Sequence, residues 1–108
     1  MAFSKSNRYP KKDQLVSGST KPLGHSARVA IIRKLAKESR CSVEQLSTGH
    51  PITQPSLAEH LRILRNAQWV WYTEEYPYTY YELDKKNVIA ALTNLDEFIR
   101  EILNNLDE

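Results

Sequence analysis

The sequence predicts a mainly α fold with one small β-hairpin, in the order α-α-α-α-β-β-α. Three observations carry that expectation. The stretch from Ser42 to Ala67 reads as two helices joined by a tight turn. Trp69 to Glu74 and Tyr78 to Leu83 are rich in aromatic and β-branched residues and flank Glu75-Tyr76-Pro77, the pattern of a hairpin. From Val88 to Ile102 apolar residues then recur at alternating spacings of four and three, the pattern of one long helix.

The chain has 108 residues, near the commonest size for one domain. Hydrophobic residues make up 41%, enough for a core and against wholesale disorder. No apolar run approaches the ~20 residues needed to cross a bilayer, so no membrane role is expected. The start, MAFSKSNRYPKKD, has no apolar stretch behind its basic residues and does not read as a secretory signal. The single cysteine, Cys41, has no internal disulfide partner, which fits a cytoplasmic protein. Residues 1–10 are expected to form a flexible arm and residues 11–108 the domain.

Charge is unevenly spread. Residues 1–71 hold 12 Lys+Arg against 4 Asp+Glu, whereas residues 72–108 hold 3 against 9. A basic half that carries the paired helices suits a polyanion such as double-stranded DNA. Ordinary surface charge explains the same imbalance, and its coincidence with the helix-turn-helix tilts the reading toward DNA.

In chain order, Tyr9-Pro10 is expected to be extended, because proline disfavours helix in the residue before it. Lys11 to Lys21 forms a weak helix around Leu15 and Val16, with Ser17, Gly18 and Ser19 lowering its propensity, so it needs a partner surface. Leu23-Gly24-His25-Ser26 is a break. Ser26 to Ser39 is a stronger helix, with Val29, Ile32 and Ala36 on one face, widened by Ile31 and Leu35. Arg28, Arg33, Lys34 and Lys37 lie outside that stripe, as a solvated face or as DNA contacts.

Ser42, with Gln45 three residues later, has the capping-box spacing. Gly49, His50 and Pro51 break the short helix that follows. Thr53 caps the next helix, and Pro55 is harmless in its first turn, where N–H groups lack an intrahelical partner. Leu57, Leu61 and Leu64 form its buried stripe. Gln54, Ser56, Glu59, Arg62 and Arg65 lie opposite. Five of the six tyrosines fall between positions 72 and 81. They read chiefly as sheet packing, with a stacking platform for single-stranded nucleic acid as the alternative. Asp84 caps the last helix, and Val88, Leu92, Leu95, Ile99 and Ile102 form its seam. That seam is longer than so small a core needs, and an intermolecular helix pair is its natural use.

This order of elements resembles the ArsR-like winged helix-turn-helix regulators of bacteria, with the hairpin as the wing. Leu23-Gly24-His25-Ser26-Ala27-Arg28 is similar to the family's L-G-H-P-x-R entry to its second helix. Thr53-Gln54 and His60-Leu61-Arg62-Ile63-Leu64-Arg65 resemble the recognition helix S-Q-x-x-x-S-x-H-L-K-x-L-R, and Tyr80-Tyr81-Glu82-Leu83 the closing Y-Y-x-L strand. The resemblance covers Lys21 to Leu83 by motif. It implies a homodimer, joined by its first and last helices, that binds a palindromic operator and represses transcription.

The chain departs from the family pattern at several places. The Cys-x-Cys pair of metal-sensing members falls on Ser42 and Glu44, with Cys41 one residue off. The last helix has no histidine, and His25, His50 and His60 are scattered, so no metal and no cofactor are expected. Glu74, Glu75, Tyr76 and Pro77 stand where the family's wing carries Arg and Gly, and an acidic tip repels phosphate. Glu59 replaces a residue that is often His.

The expected DNA-contacting set is Arg28, Thr53, Gln54, Ser56, Glu59, His60, Arg62 and Arg65. Gln54, Ser56 and Glu59 reach base edges, since Gln pairs with adenine and Glu accepts from cytosine. Arg28, Arg62 and Arg65 hold phosphates. The expected dimer interface is Leu15, Val88, Leu92, Leu95, Ile99 and Ile102. An interaction module that uses the aromatic, acidic wing on another protein is the alternative. An enzyme is not expected: no activated nucleophile or phosphate-binding glycine loop is present. The effector is not legible.

Overall fold

The computed structural model describes residues 8–49 and 51–107. Residues 1–7 of the expected arm, and His50 of the expected helix-breaking turn, lie outside the described residues.

Helix α1 (Lys11–Gly18) buries none of its residues. It starts where the Pro10 carbonyl accepts from the N–H groups of Asp13 and Gln14. Its main packing partner is the long last helix, the partner surface its weak propensity calls for. The helix expected to reach Lys21 stops earlier. A separate 3-10 turn, Lys21–Leu23, follows, and Pro22 buries itself there. Helix α2 (Ser26–Glu38) is capped by His25, whose Nδ1 accepts from the Ala27 N–H at 3.0 Å.

The chain then makes a short strand, β1 (Cys41–Ser42), that the sequence does not predict. Two residues are too few to show a period-2 pattern. Helix α3 (Val43–Ser47) carries the capping box: Ser42 Oγ accepts from Gln45 N–H at 3.1 Å, and Gln45 Oε1 accepts from Ser42 N–H at 2.7 Å. Gly49, at φ +80°, takes the left-handed conformation that ends this segment. Helix α4 (Gln54–Asn66) begins at the Thr53 cap, with Thr53 Oγ1 accepting from Ser56 N–H.

Strands β2 (Val70–Glu75) and β3 (Tyr78–Leu83) pair antiparallel from Val70↔Leu83 to Glu75↔Tyr78. β1 joins the other side of β3, pairing Cys41 with Tyr81, so the sheet has three strands in the order β1-β3-β2. Helix α5 (Lys85–Leu106) is capped by Asp84. None of the described helices is long and apolar enough to cross a membrane.

The core joins every layer. Ile31 and Leu35 of α2, Leu46 of α3, and Leu57, Leu61 and Leu64 of α4 meet Trp69, Val70 and Tyr81 of the sheet. Val88 belongs to it as well, at 6% exposure. This corrects its assignment to the dimer seam: the first turn of α5 is still over the domain, and only later turns leave it. Leu15, Leu92, Ile99 and Ile102 are exposed, Leu95 is half-buried, and Ile89, Phe98, Leu103 and Leu106 widen the exposed apolar face. The tyrosine cluster divides. Tyr81 is buried beside Tyr72, ring centroids 5.7 Å apart, while Tyr72, Tyr76 and Tyr78 remain exposed.

Candidate nucleic-acid interface

Helix α4 splits cleanly into two sides. Leu57, His60, Leu61 and Leu64 face the core. Thr53, Gln54, Glu59, Arg62 and Arg65 are exposed, and Ser56 is half-buried near the N-terminus. Ala58 is also exposed, four residues from both Gln54 and Arg62, so the three share one face. The sequence gives no sign of it, because an alanine between Leu57 and Glu59 carries no chemical signal of its own. A methyl at this place suits apolar contact with a thymine methyl group.

Two expected contact residues are not on that surface. Arg28 is 8% exposed. Its Nη2 and Nε donate to the Lys21 carbonyl at 2.8 and 3.2 Å, Nε also reaches the Pro22 carbonyl, and Nη1 lies 3.1 Å from His60 Nδ1. The guanidinium therefore ties the 3-10 turn and α2 to α4 and is not free for phosphate. His60, also 8% exposed, is its partner. Burial first, then the neighbouring His25 and Arg28, hold the His60 imidazole below its ordinary pKa, so it is neutral near pH 7. Both departures have one cause. A charged or polar residue at helical spacing reads as surface unless the acceptors from a distant turn are known.

Glu59 and Arg62 are brought together as a bidentate pair, with Nε–Oε1 at 3.0 Å and Nη2–Oε2 at 2.6 Å. That hydrogen-bonded pairing holds the Glu59 carboxyl below the usual carboxylate range and raises the Arg62 guanidinium. The two residues thus present one neutralised unit rather than a base reader and a separate phosphate clamp. Arg65 reaches the sheet instead, its guanidinium carbon 5.4 Å from the Tyr72 ring centroid.

The hairpin tip is less acidic than its sequence suggests. Arg40, just before β1, pairs with Glu75 and lies over the Tyr80 ring at 3.9 Å. Glu74 has no ion pair among the described residues. Tyr76 at the tip is 99% exposed.

At the family-type metal position the Cys-x-Cys pair is replaced by Ser42 and Glu44. Ser42 is committed to its cap on Gln45, and Cys41 is buried on β1, where burial pushes the thiol pKa up. A thiol held protonated is a poor ligand and a poor nucleophile. Among the described residues no group of three or more His, Cys, Asp or Glu is placed to hold a metal ion.

Comparison with known proteins agrees with this geometry. A family model described as "Bacterial regulatory protein, arsR family" matches residues 25–70, from the α2 cap to the start of β2. The HTH-type transcriptional regulator Rv2034 of Mycobacterium tuberculosis is 30% identical over 76 residues, covering 70% of each chain. Among solved structures, the transcriptional repressor BigR from Xylella fastidiosa superposes with a TM-score of 0.66 at 24% identity, over 89% of this chain and 97% of that one. The homodimeric winged helix-turn-helix DNA-binding domain of Mb0332 from Mycobacterium bovis gives 0.65 at 22%, over 94% and 91%.

Proposed function

The chain belongs to the ArsR family of bacterial transcriptional regulators, and from that premise we propose that it acts as a homodimeric repressor on a palindromic duplex operator. The observation that carries the reading is the exposed face of α4: a capped helix start with Thr53, Gln54 and Ala58, backed by a rigid apolar side. Such a helix enters the major groove N-terminus first. Gln54 pairs with an adenine edge, Ala58 touches a thymine methyl, and the Thr53 hydroxyl bonds phosphate or a base edge. Arg65 and the Glu59–Arg62 unit flank the groove.

Dimerisation runs through α5 and α1. Leu92, Ile99 and Ile102, with Ile89, Phe98 and Leu103, form an apolar face that is exposed in one chain, and α1, with Leu15 exposed, packs on the same helix. Pairing two copies along that face sets the two recognition helices one helical turn of DNA apart, about 34 Å, or a multiple of it. The structural neighbour Mb0332, described as homodimeric, supports a dimer. Operator binding places the protein in the cytoplasm. Its switching does not run through a metal at Ser42 and Glu44.

A second reading has one specific observation behind it. Tyr76, wholly exposed beside Glu74, gives the hairpin a tip suited to another protein rather than to phosphate. One experiment separates the two: selection of bound duplexes from a random pool, followed by titration of the winner against salt. A repressor enriches a palindrome, and its affinity falls steeply with salt as counterions are released. Gln54→Ala then relaxes preference at one base pair by about 1–3 kcal/mol. No enrichment and a flat salt response would leave the wing as the working surface.

A further inference from the structure

Behind the recognition helix lies a cavity of about 350 Å³ between the start of α2, the end of α3 and α4. That volume is within the range of small-molecule sites. Its walls are mainly apolar, with Ala30, Leu46, Ile52 and Leu57 among them, and His25 and His60 at one side. The two rings lie against each other with centroids 4.4 Å apart and planes tilted by 50°. Ser26 and Ser56 add hydroxyls, and no carboxylate among the described residues lines the space.

We propose that this cavity binds a small organic carboxylate with an apolar body, and that occupancy regulates α4. The hydrogen-bond chemistry selects the ligand. Arginine only donates, so His60 Nδ1, 3.1 Å from Arg28 Nη1, is an acceptor and the ring proton sits on Nε2. His25 Nδ1 accepts from the Ala27 N–H, so its ring proton is also on Nε2. The polar residues lining this side therefore carry two imidazole N–H groups left to donate and two hydroxyls, a set that suits acceptor oxygens.

Charge points the same way. Arg28, immediately behind His60, is a buried cation bonded to two backbone carbonyls and one imidazole, with no carboxylate partner among the described residues. An anion beside His60 gains from that field, and a cation is repelled by it. The apolar walls exclude a bare inorganic anion and reward a hydrocarbon body.

Coupling follows from where the walls belong. Ser56 and His60 are part of α4, whereas His25 and Ala30 belong to the cap and body of α2. A ligand that bridges them fixes the angle of α4 against the rest of the domain. It shifts DNA affinity if the bound and free angles differ in fit to the groove.

The test uses the full-length protein and four probes: hexanoate, benzoate, acetate and hexanamide. In nuclear magnetic resonance titrations without DNA, hexanoate or benzoate should shift the His25 and His60 imidazole signals and the Ala27 and Ala30 amides saturably. Acetate, lacking the body, and hexanamide, lacking the charge, should bind at least about ten-fold more weakly. Ala30→Phe should fill the space and abolish the shifts while the rest of the amide spectrum stays folded, and the milder Ala30→Leu should weaken them if Phe disrupts the fold. Acetate matching hexanoate, hexanamide matching hexanoate, or no saturable shift at millimolar probe would each overturn the site. The regulatory half rests on the DNA-binding reading and is measured separately, as operator affinity with and without the tighter probe. A change of about five-fold or more is expected. Saturable binding with unchanged operator affinity would overturn the regulation and leave the site. Absence of any operator would instead count against the repressor reading alone.

Discussion

Arg28→Ala separates two roles for one arginine. A phosphate contact is exposed and contributes to DNA affinity; a tie between elements is buried and contributes to stability. The guanidinium makes two bonds of ordinary length, to the Lys21 carbonyl at 2.8 Å and to His60 Nδ1 at 3.1 Å, with longer ones at 3.2 and 3.3 Å. A hydrogen bond from a charged group contributes about 1.5–3 kcal/mol, so two full bonds set an upper figure of about 3–6 kcal/mol. Relief from holding a cation out of water offsets part of that, leaving an expected loss of about 2–4 kcal/mol. Arg28→Lys keeps the charge but only one of the bonds, and should fall between wild type and alanine. The assay is urea unfolding at fixed protomer concentration, since dimer stability depends on it. Salt titration of duplex binding runs in parallel. Were Arg28→Ala to lose under about 0.5 kcal/mol while the salt slope dropped by about 0.9, the loss of one phosphate, the tie would be refuted and the phosphate role restored.

Glu59→Gln should free Arg62 and remove a negative charge, tightening binding to all duplexes and steepening the salt response; loss confined to one cytosine position would show Glu59 reading a base instead. Ile99→Glu puts a charge at a residue that is 49% exposed in one chain, so light scattering should report a folded monomer, and a native dimer would place the interface elsewhere. His60 has a folded pKa below its ordinary 6.5, so the unfolded chain binds more protons there. Stability is full above about pH 6.5 and declines as pH falls toward the folded pKa. His60→Gln should flatten that part of a stability-versus-pH curve, and an unchanged curve would acquit His60. Operator affinity should respond neither to zinc nor to mild peroxide, in wild type or Cys41→Ser; a peroxide effect abolished by the serine would identify a thiol switch.

Much of the fold is legible because its signals are local. The Ser42–Gln45 box, the Thr53 cap and the Asp84 cap are written within four residues, and each appears with the expected donor and acceptor. The leucine stripe of α4 and the hairpin turn at Tyr76-Pro77 are equally short-range. What the sequence conceals depends on partners far along the chain. β1 exists because Cys41 and Ser42 find the free edge of β3, about forty residues later. Arg28 turns inward because the Lys21 and Pro22 carbonyls and His60 converge on it. Val88 continues the spacing of the α5 seam, yet it lies where α5 still crosses the core. Periodicity tells which side of a helix is apolar and is silent on what covers each turn.

The same long-range pairings change the electrostatic argument for DNA binding. The basic half counts 12 Lys+Arg, but the structure commits several of them. Arg28 is internal, Arg40 is paired with Glu75, and Arg62 is paired with Glu59. Lys34 spends one donor on the Gln45 carbonyl. Fewer cations are left to displace counterions, and the salt-dependent, sequence-independent part of affinity falls with their number. A single domain should therefore hold DNA weakly. Two domains on one operator double the phosphate contacts and add a second helix reading bases, whereas random DNA offers the second domain no matching edges. Weak non-specific contact thus widens the gap between operator and bulk DNA, and on the proposed reading it makes dimerisation a requirement for operator occupancy rather than an accessory to it.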